Sequence, residues 1–139
     1  MNKISHIPGL LLIACLCGCT TASQPDSTAL QGTWQGPEIG GNTPGTSYMI
    51  VTGSNFEFRG ADTNEWYRGT YTLRENTKPH QLVATITECS AAEYVGKTDY
   101  AIYEVNGATL RFSAFEPGNT TVPSKFDAPG TRRFVMQKK

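Results

Sequence analysis

The sequence predicts an all-β domain, an eight-stranded antiparallel up-and-down barrel preceded by a short N-terminal helical turn. Most of the 139-residue chain consists of short segments rich in Val, Ile, Thr, Tyr and Phe, separated by Gly, Pro and Asn. This composition is typical of strands joined by turns. One segment, 65–75, alternates between apolar and polar residues, as expected for a strand with one buried face. The pair Asn106-Gly107 separates two further segments and favours a tight hairpin.

The elements follow in chain order from these patterns. A helical turn is predicted at 27–30, with Asp26 as its N-cap, because Asp is common at that position. The Asn106-Gly107 turn is expected to be of type I′, with a positive φ at both residues. The loop at 117–130 contains three prolines and is expected to be semi-rigid. The strands are predicted at 32–36, 47–52, 56–59, 65–75, 81–88, 98–105, 109–115 and 132–137.

The strand at 65–75 gives the clearest assignment of faces. Tyr67, Gly69, Tyr71 and Leu73 share one face, which is expected to be buried, and Arg and Thr residues occupy the other. Gly69 is expected to mark a bend or a close approach of two backbones. The same alternation predicts two further inward sets: Leu82, Ala84 and Ile86, then Leu110, Phe112 and Ala114.

An open sheet of eight strands would leave two edges that invite aggregation. Closure of the last strand onto the first removes both edges and gives a barrel whose interior is either filled or holds one small ligand. The alternative is a half-open sheet that is capped by the loop at 117–130. The sequence favours closure.

The first eighteen residues predict an export signal. Lys3 precedes an apolar run at 7–16, which is shorter than the roughly 20 residues that a membrane span needs and fits a secretory leader. The residues before Cys19 resemble the cleavage site of bacterial lipoproteins, in which a small residue precedes the lipidated cysteine. Cys19 is the preferred anchor and Cys15 the alternative. An ordinary cleaved leader with incidental cysteines remains open.

Lipidation would place the protein in the cell envelope, held to a membrane by its N-terminal acyl chains. Thr20 follows the anchor, and resemblance to Gram-negative sorting then favours the outer membrane over the inner one, with the leaflet left open. The segment 19–29 is small and polar and is predicted to be a flexible tether. The remaining 30–139 form the predicted barrel domain.

Charge and cysteine content exclude several classes of function. Removing Lys3 with the leader leaves 11 basic and 12 acidic residues, so the chain carries no basic footprint for nucleic acid or anionic lipid. Cys89 is the only cysteine beyond the anchor, so no disulfide can form within the domain. A lone cysteine in a Thr-rich strand is most often an inert apolar residue.

Two stretches of the chain resemble known domains. Residues 30–35, with Gly32 and Trp34, resemble the Gly-x-Trp start of lipocalin-like barrels, which implies that Trp34 packs across the closed end. The remainder resembles a family of secreted domains of unknown function that is abundant in planctomycetes and related bacteria. The resemblance covers 30–139 and implies a lipocalin-like fold and export, and the family offers no established activity. Its matching segments are 69–73, 101–112, 115–118, 123–126 and 134–139.

The sequence predicts no enzyme, no cofactor and no metal site. His80 is the only histidine beyond the leader, and no nucleophile with an oriented base can be placed beside it. Two histidine ligands are therefore impossible within one mature chain. Glu88 could pair with Asp99 or Glu104 across strands, but the alternation of these strands predicts that all three carboxylates face solvent.

Two hypotheses for function remain open. The first is a barrel that binds a small apolar or amphipathic ligand. The second is an envelope module with a solid core that recognises another protein, with Trp66 as a candidate surface contact. A cavity of about 300 Å³ or more would favour the first, and a packed interior the second. The residues predicted to line the ligand pocket or core are Trp34, Tyr48, Phe56, Phe58, Tyr67, Tyr71 and Phe112.

Overall fold

The computed structural model describes residues 23–139. The regular secondary structure of these residues consists of strands and two short helical segments. The helix α1 spans Asp26–Ala29, and a 3₁₀ turn spans Ala92–Tyr94. The strands are β1 (Gly32–Gly36), β2 (Ser47–Thr52), β3 (Asn55–Arg59), β4 (Trp66–Arg74), β5 (His80–Cys89), β6 (Thr98–Asn106), β7 (Thr109–Ala114) and β8 (Arg132–Lys138). Neither helical segment of this described part has the length and apolar character needed to cross a bilayer.

The eight strands form a closed antiparallel barrel in chain order. Closure occurs where β1 pairs with β8, with Trp34 opposite Lys138 and Gln35 opposite Gln137. The predicted up-and-down barrel is therefore confirmed, and the half-open sheet is wrong. Closure leaves no free strand edge in this sheet, which removes the aggregation hazard of an open meander.

The alternation predicted for β4 is observed. Gly69 and Tyr71 are buried, Tyr67 and Leu73 are half-buried, and the intervening residues are exposed. A β-bulge lies between Arg68 and Gly69 where β4 pairs with β5. A Cβ atom at Gly69 would collide with the carbonyl oxygen of Thr85. The expected close backbone approach at this glycine is therefore present.

The hairpin between β6 and β7 forms at the predicted place with a different turn. Asn106 pairs with Thr109, so the loop consists of Gly107 and Ala108. Gly107 has a φ of 58°, and within residues 23–139 no residue other than glycine has a positive φ. The prediction of a type I′ turn is therefore wrong. A single positive φ at the first loop position is the pattern of a type II′ turn, and it arises because β6 extends through Asn106.

The segment before the barrel is bound to it from Asp26 onwards. Pro25 occupies the N-cap position of α1 without a side-chain cap bond, so the prediction of Asp26 as the cap is wrong. The Asp26 side chain instead contacts two barrel residues, described below. Residues 26–29 of the predicted tether therefore belong to the ordered domain. The predicted leader at 1–18 and the anchor cysteines Cys15 and Cys19 lie outside the described residues.

Candidate functional site

One end of the barrel, here called the closed end, is covered by α1, Leu30 and Trp34. The Trp34 side chain is 0 % exposed, and its Nε1 donates a 2.8 Å hydrogen bond to the Leu30 carbonyl oxygen. The Lys138 ammonium lies 5.1 Å from the centroid of the Trp34 ring and donates to the Ala29 carbonyl oxygen. Trp34 is therefore part of the core, as expected. It lies at the closed end and does not line the cavity described next.

A cavity of about 110 Å³ lies inside the barrel. Its wall is almost entirely apolar and contains five of the seven residues predicted for the pocket or core: Phe56, Phe58, Tyr67, Tyr71 and Phe112. The volume lies below the mark of about 300 Å³ that would favour the ligand-binding hypothesis, so the size criterion for that hypothesis is not met. The interior is nevertheless not solid.

Aromatic rings form the centre of this wall. Phe112 stacks on Phe134 with centroids 4.7 Å apart, and Phe58 meets Phe134 edge to face at 5.2 Å. Tyr67 lies 6.0 Å from Phe58. Phe134 was not among the predicted pocket residues, although the alternation of Arg132, Phe134 and Met136 along β8 would have placed it inside.

The prediction that Tyr48 faces inward is wrong. Tyr48 is 36 % exposed and lies on the outer surface of β2. Ser47, Met49 and Val51 occupy the inner face of this strand, and the last two line the cavity. The prediction placed the large aromatic Tyr48 inside the barrel. The structure instead buries its small neighbour Ser47 at the start of β2, so the inward-facing positions of this strand are shifted by one residue from the predicted ones.

Trp66 lies on the outer face of β4, as the alternation predicted. It is half-buried, and the Arg68 guanidinium carbon lies 5.2 Å from its ring centroid. Arg59 pairs with both Tyr48 and Trp66. The three residues therefore form a row across the outer surface of β2, β3 and β4.

The opposite end of the barrel, here called the polar end, carries Glu38, Glu65, Asp99 and Arg132. Arg132 Nε and Nη2 donate to the two carboxylate oxygens of Glu38 at 2.9 and 2.7 Å. Arg132 Nη1 and Nη2 also donate to Glu65. Burial alone would lower the pKa of Arg132, but the hydrogen bonds that it donates to Glu38 and Glu65 raise the pKa overall. One guanidinium therefore bridges two carboxylates and stays charged.

Backbone contacts position these two carboxylates. Glu38 forms an isolated bridge with Phe134 beyond the end of β1, which extends the seam between β1 and β8 and brings it to Arg132. Glu65 immediately precedes β4, and its carbonyl oxygen accepts a 2.9 Å hydrogen bond from the Gly60 amide. A side chain at residue 60 would collide with the Glu65 carboxylate. The polar end therefore depends on glycine at that position.

Asp99 is the site residue that sequence reasoning misplaced. It was expected to face solvent, but it lies opposite Ala84 on the inner surface of β6 and lines the cavity. Burial raises the pKa of Asp99 to about 6, and the Tyr100 amide and Arg132 partly offset this effect. Its Oδ1 atom is shielded from solvent and has no hydrogen-bond partner among residues 23–139. The alternation of Asp99, Ala101 and Tyr103 along β6 would have identified it.

Glu88 and Glu104 lie on the outer surface, as predicted. Glu88 lies 3.5 Å from Arg68, and Glu104 forms an ion pair with Arg111 at 3.1 Å. Neither pairs with Asp99. The carboxylate pairs that were considered for Glu88 are therefore not formed, and Asp99 is the acidic residue that the barrel brings inside.

The remaining reactive side chains lie apart from the cavity. His80 Nδ1 is 2.7 Å from Asp26 Oδ2 at the closed end. Cys89 is a free, half-buried thiol whose sulfur lies 2.6 Å from the Ala91 carbonyl oxygen. Within residues 23–139, no three His, Cys, Asp or Glu side chains converge on a position for a metal ion. The arrangement is suited to binding through an apolar wall and one carboxylate.

Comparison with protein-family models, curated proteins and solved structures finds no match to this chain. The resemblance to lipocalin-like secreted domains therefore stays a prediction. The function has to be inferred from the geometry of the cavity and of the outer surface.

Proposed function

We propose that this protein is a lipid-anchored β-barrel of the cell envelope that binds a small apolar or amphipathic molecule in its interior. The observation that carries the proposal is the aromatic-lined cavity between the closed end and the polar end. The Arg132 side chain lines this cavity and is 35 % exposed, so the entry that we propose for a ligand lies at the polar end. Apolar walls with a few polar groups are typical of small-molecule sites.

The size of the cavity limits the ligand. Its volume of about 110 Å³ is somewhat smaller than an engineered apolar cavity of roughly 150 Å³ that accepts benzene. A ligand of about four to five non-hydrogen atoms fits without rearrangement. A fatty acid or a haem would require the barrel to open further.

A cavity-filling variant tests the binding proposal. Ala84 is buried in the cavity wall, and Ala84→Leu would place three additional carbon atoms in the space. Ala108→Leu makes the same change at an exposed turn and serves as the matched control. Native mass spectrometry of the protein from its host should detect a small molecule with the wild type and the control, but not with Ala84→Leu. Wild-type protein free of any ligand would contradict the proposal.

The lipid anchor is tested separately. The apolar run at 7–16 and the following cysteines support it. Cells grown with labelled palmitate should incorporate label into the wild-type protein and into Cys15→Ser. The label should be absent from Cys19→Ser. Label that is lost only in Cys15→Ser would identify the alternative anchor, and an unlabelled wild type would contradict lipidation.

A second candidate function is recognition of another envelope protein through the outer surface. Tyr48 and Ile50 are each 36 % exposed on β2. Tyr48 belongs to the row with Arg59 and Trp66, and Ile50 lies next to this row on the same face. Exposed aromatic and aliphatic residues beside arginine are typical of interface centres. A photo-reactive residue introduced at position 50 should then cross-link one envelope protein, and Trp66→Ala should weaken the cross-link. The cavity variant Ala84→Leu should leave it unchanged.

A further inference from the structure

The empty space in the barrel adjoins the Asp99 carboxylate. Three alanines of the cavity wall surround this position: Ala84 is paired with Asp99, Ala101 lies two residues along β6, and Ala114 is paired with Ala101. Their small side chains leave room on the inner surface where larger residues would reach the carboxylate. The Asp99 side chain therefore borders the empty space, with its Oδ1 atom packed beneath that surface.

The charges of the polar end favour a cation in this space. Among the described residues that line the cavity, Arg132 is the only basic side chain, and Glu38 and Glu65 both bind its guanidinium. Two carboxylates therefore bind the one fixed positive charge, and Asp99 adds a third carboxylate at the same end. A buried carboxylate whose hydrogen bonding is incomplete is unfavourable until a further donor or a positive charge comes near it.

The aromatic wall near Arg132 is also suited to a cation, since the guanidinium carbon already lies 5.9 Å from the ring centroid of Phe58 and 5.3 Å from that of Phe134. Phe58, Tyr67, Phe112 and Phe134 present aromatic rings to the cavity, and ring faces attract ammonium groups. The same rings bury a short alkyl chain. A ligand that carries a carboxylate or phosphate would meet repulsion from Asp99 and Glu65 instead.

We propose that the cavity binds a small organic ammonium ion, with its positive charge against Asp99 and its alkyl part among the aromatic rings. This inference rests on the proposed function, because it names the class of ligand for the same cavity. The cavity volume of about 110 Å³ corresponds to an alkylammonium of about four carbons. The ammonium group places a positive charge beside the Asp99 side chain, which lines the cavity.

The probes are n-butylammonium and its neutral counterpart 1-butanol. Each is titrated into the full chain in phosphatidylcholine vesicles, and isothermal calorimetry measures the affinity. Vesicles without protein serve as the blank. The wild type should bind the ammonium about tenfold more tightly than the alcohol, since a hydrogen bond to a charged group has about this effect. Asp99→Asn should abolish the preference for the ammonium ion and leave the affinity for 1-butanol unchanged. Glu104→Gln, an exposed change on the same strand, should alter neither affinity.

The outcomes separate the two proposals. Equal affinity of the wild type for both probes, or an ammonium preference that survives in a folded Asp99→Asn, would overturn the ammonium inference and leave the binding function in place. If neither probe binds and the native protein carries no small molecule, the proposed function fails as well. Circular dichroism of each variant shows whether the barrel has formed, and Asp99→Ser provides a second variant without the charge.

Discussion

The Tyr103 hydroxyl donates a 2.7 Å hydrogen bond to Asp26 Oδ2 across 77 residues of sequence. His80 Nδ1 lies at 2.7 Å from the same oxygen, and the Asp26 amide donates to Glu75 at 3.2 Å. Burial, together with the Asp26 carboxylate, raises the pKa of Tyr103 well above its ordinary value, so the hydroxyl stays protonated. These contacts attach the N-terminal helix to β5 and β6.

The first prediction concerns this attachment. Asp26→Ala should lower the free energy of unfolding by about 2 kcal/mol, because it removes hydrogen bonds to a charged acceptor. Tyr103→Phe should lower it by about 1 kcal/mol, and the double variant should cost less than the two single changes together. Urea denaturation measures each value. Asp127→Ala, an exposed change, is the control, and strictly additive effects would show that the two residues do not interact.

The second prediction concerns Asp99 and pH. The raised pKa of about 6, against an ordinary 3.8, means that the folded protein binds this proton more strongly than the unfolded chain. The resulting stabilisation is complete below pH 3.8 and is lost as the pH rises through 6. Relative to the wild type, Asp99→Asn should therefore gain up to about 3 kcal/mol between pH 4 and pH 8.

Denaturation curves of both proteins at several pH values measure this difference. Arg132, Glu65 and Tyr67 also face the polar end and are the same in both proteins, so the comparison isolates the change at Asp99. A stability difference that is independent of pH would contradict the raised pKa of Asp99.

The third prediction concerns Arg132. Arg132→Met should leave Glu38 and Glu65 facing each other without a cation and should destabilise the barrel at neutral pH. Because the arginine is 35 % exposed, solvent screening reduces the effect to about 2 kcal/mol. Adding Glu65→Gln should restore part of the loss. Thermal denaturation of the single and double variants checks this, and no recovery in the double variant would contradict charge repulsion as the cause.

The fourth prediction concerns the bulge on β4. Gly69→Ala should destabilise the protein by about 2 kcal/mol or more, because the added Cβ collides with the Thr85 carbonyl oxygen. Thr70→Ala, an outward change at the next residue, should cost less than about 1 kcal/mol. Guanidinium denaturation compares the two. Equal stability of Gly69→Ala and the wild type would show that the two strands can separate at this point without cost.

Much of the fold could be predicted because apolar and polar residues alternate clearly in the strands that have one solvent-exposed face. β4 is the best case, since arginines and threonines mark the outer face and the tyrosines mark the inner one. The exact turn between β6 and β7 could not be predicted from Asn106-Gly107, because the turn type depends on how far the strand pairing continues.

The candidate site was harder to predict, because residue type and position disagree there. Tyr48 is aromatic and lies outside, whereas Asp99 is acidic and lies inside. A rule that places apolar residues inward fails at both. The alternation along each strand would have corrected it, since Met49 and Ala101 fix the inward phase of β2 and β6. The contacts of Asp26 depend on tertiary packing and have no local signature.

The position of α1 has a consequence for how an anchored barrel would be oriented. Cys19 lies seven residues before Asp26, a span of at most about 25 Å when extended. Acyl chains on Cys19 would therefore keep the closed end, with Trp34 and Lys138, next to the bilayer. The polar end with Arg132 would then face the aqueous compartment, and a ligand that enters there would arrive from water rather than by lateral diffusion out of the lipid.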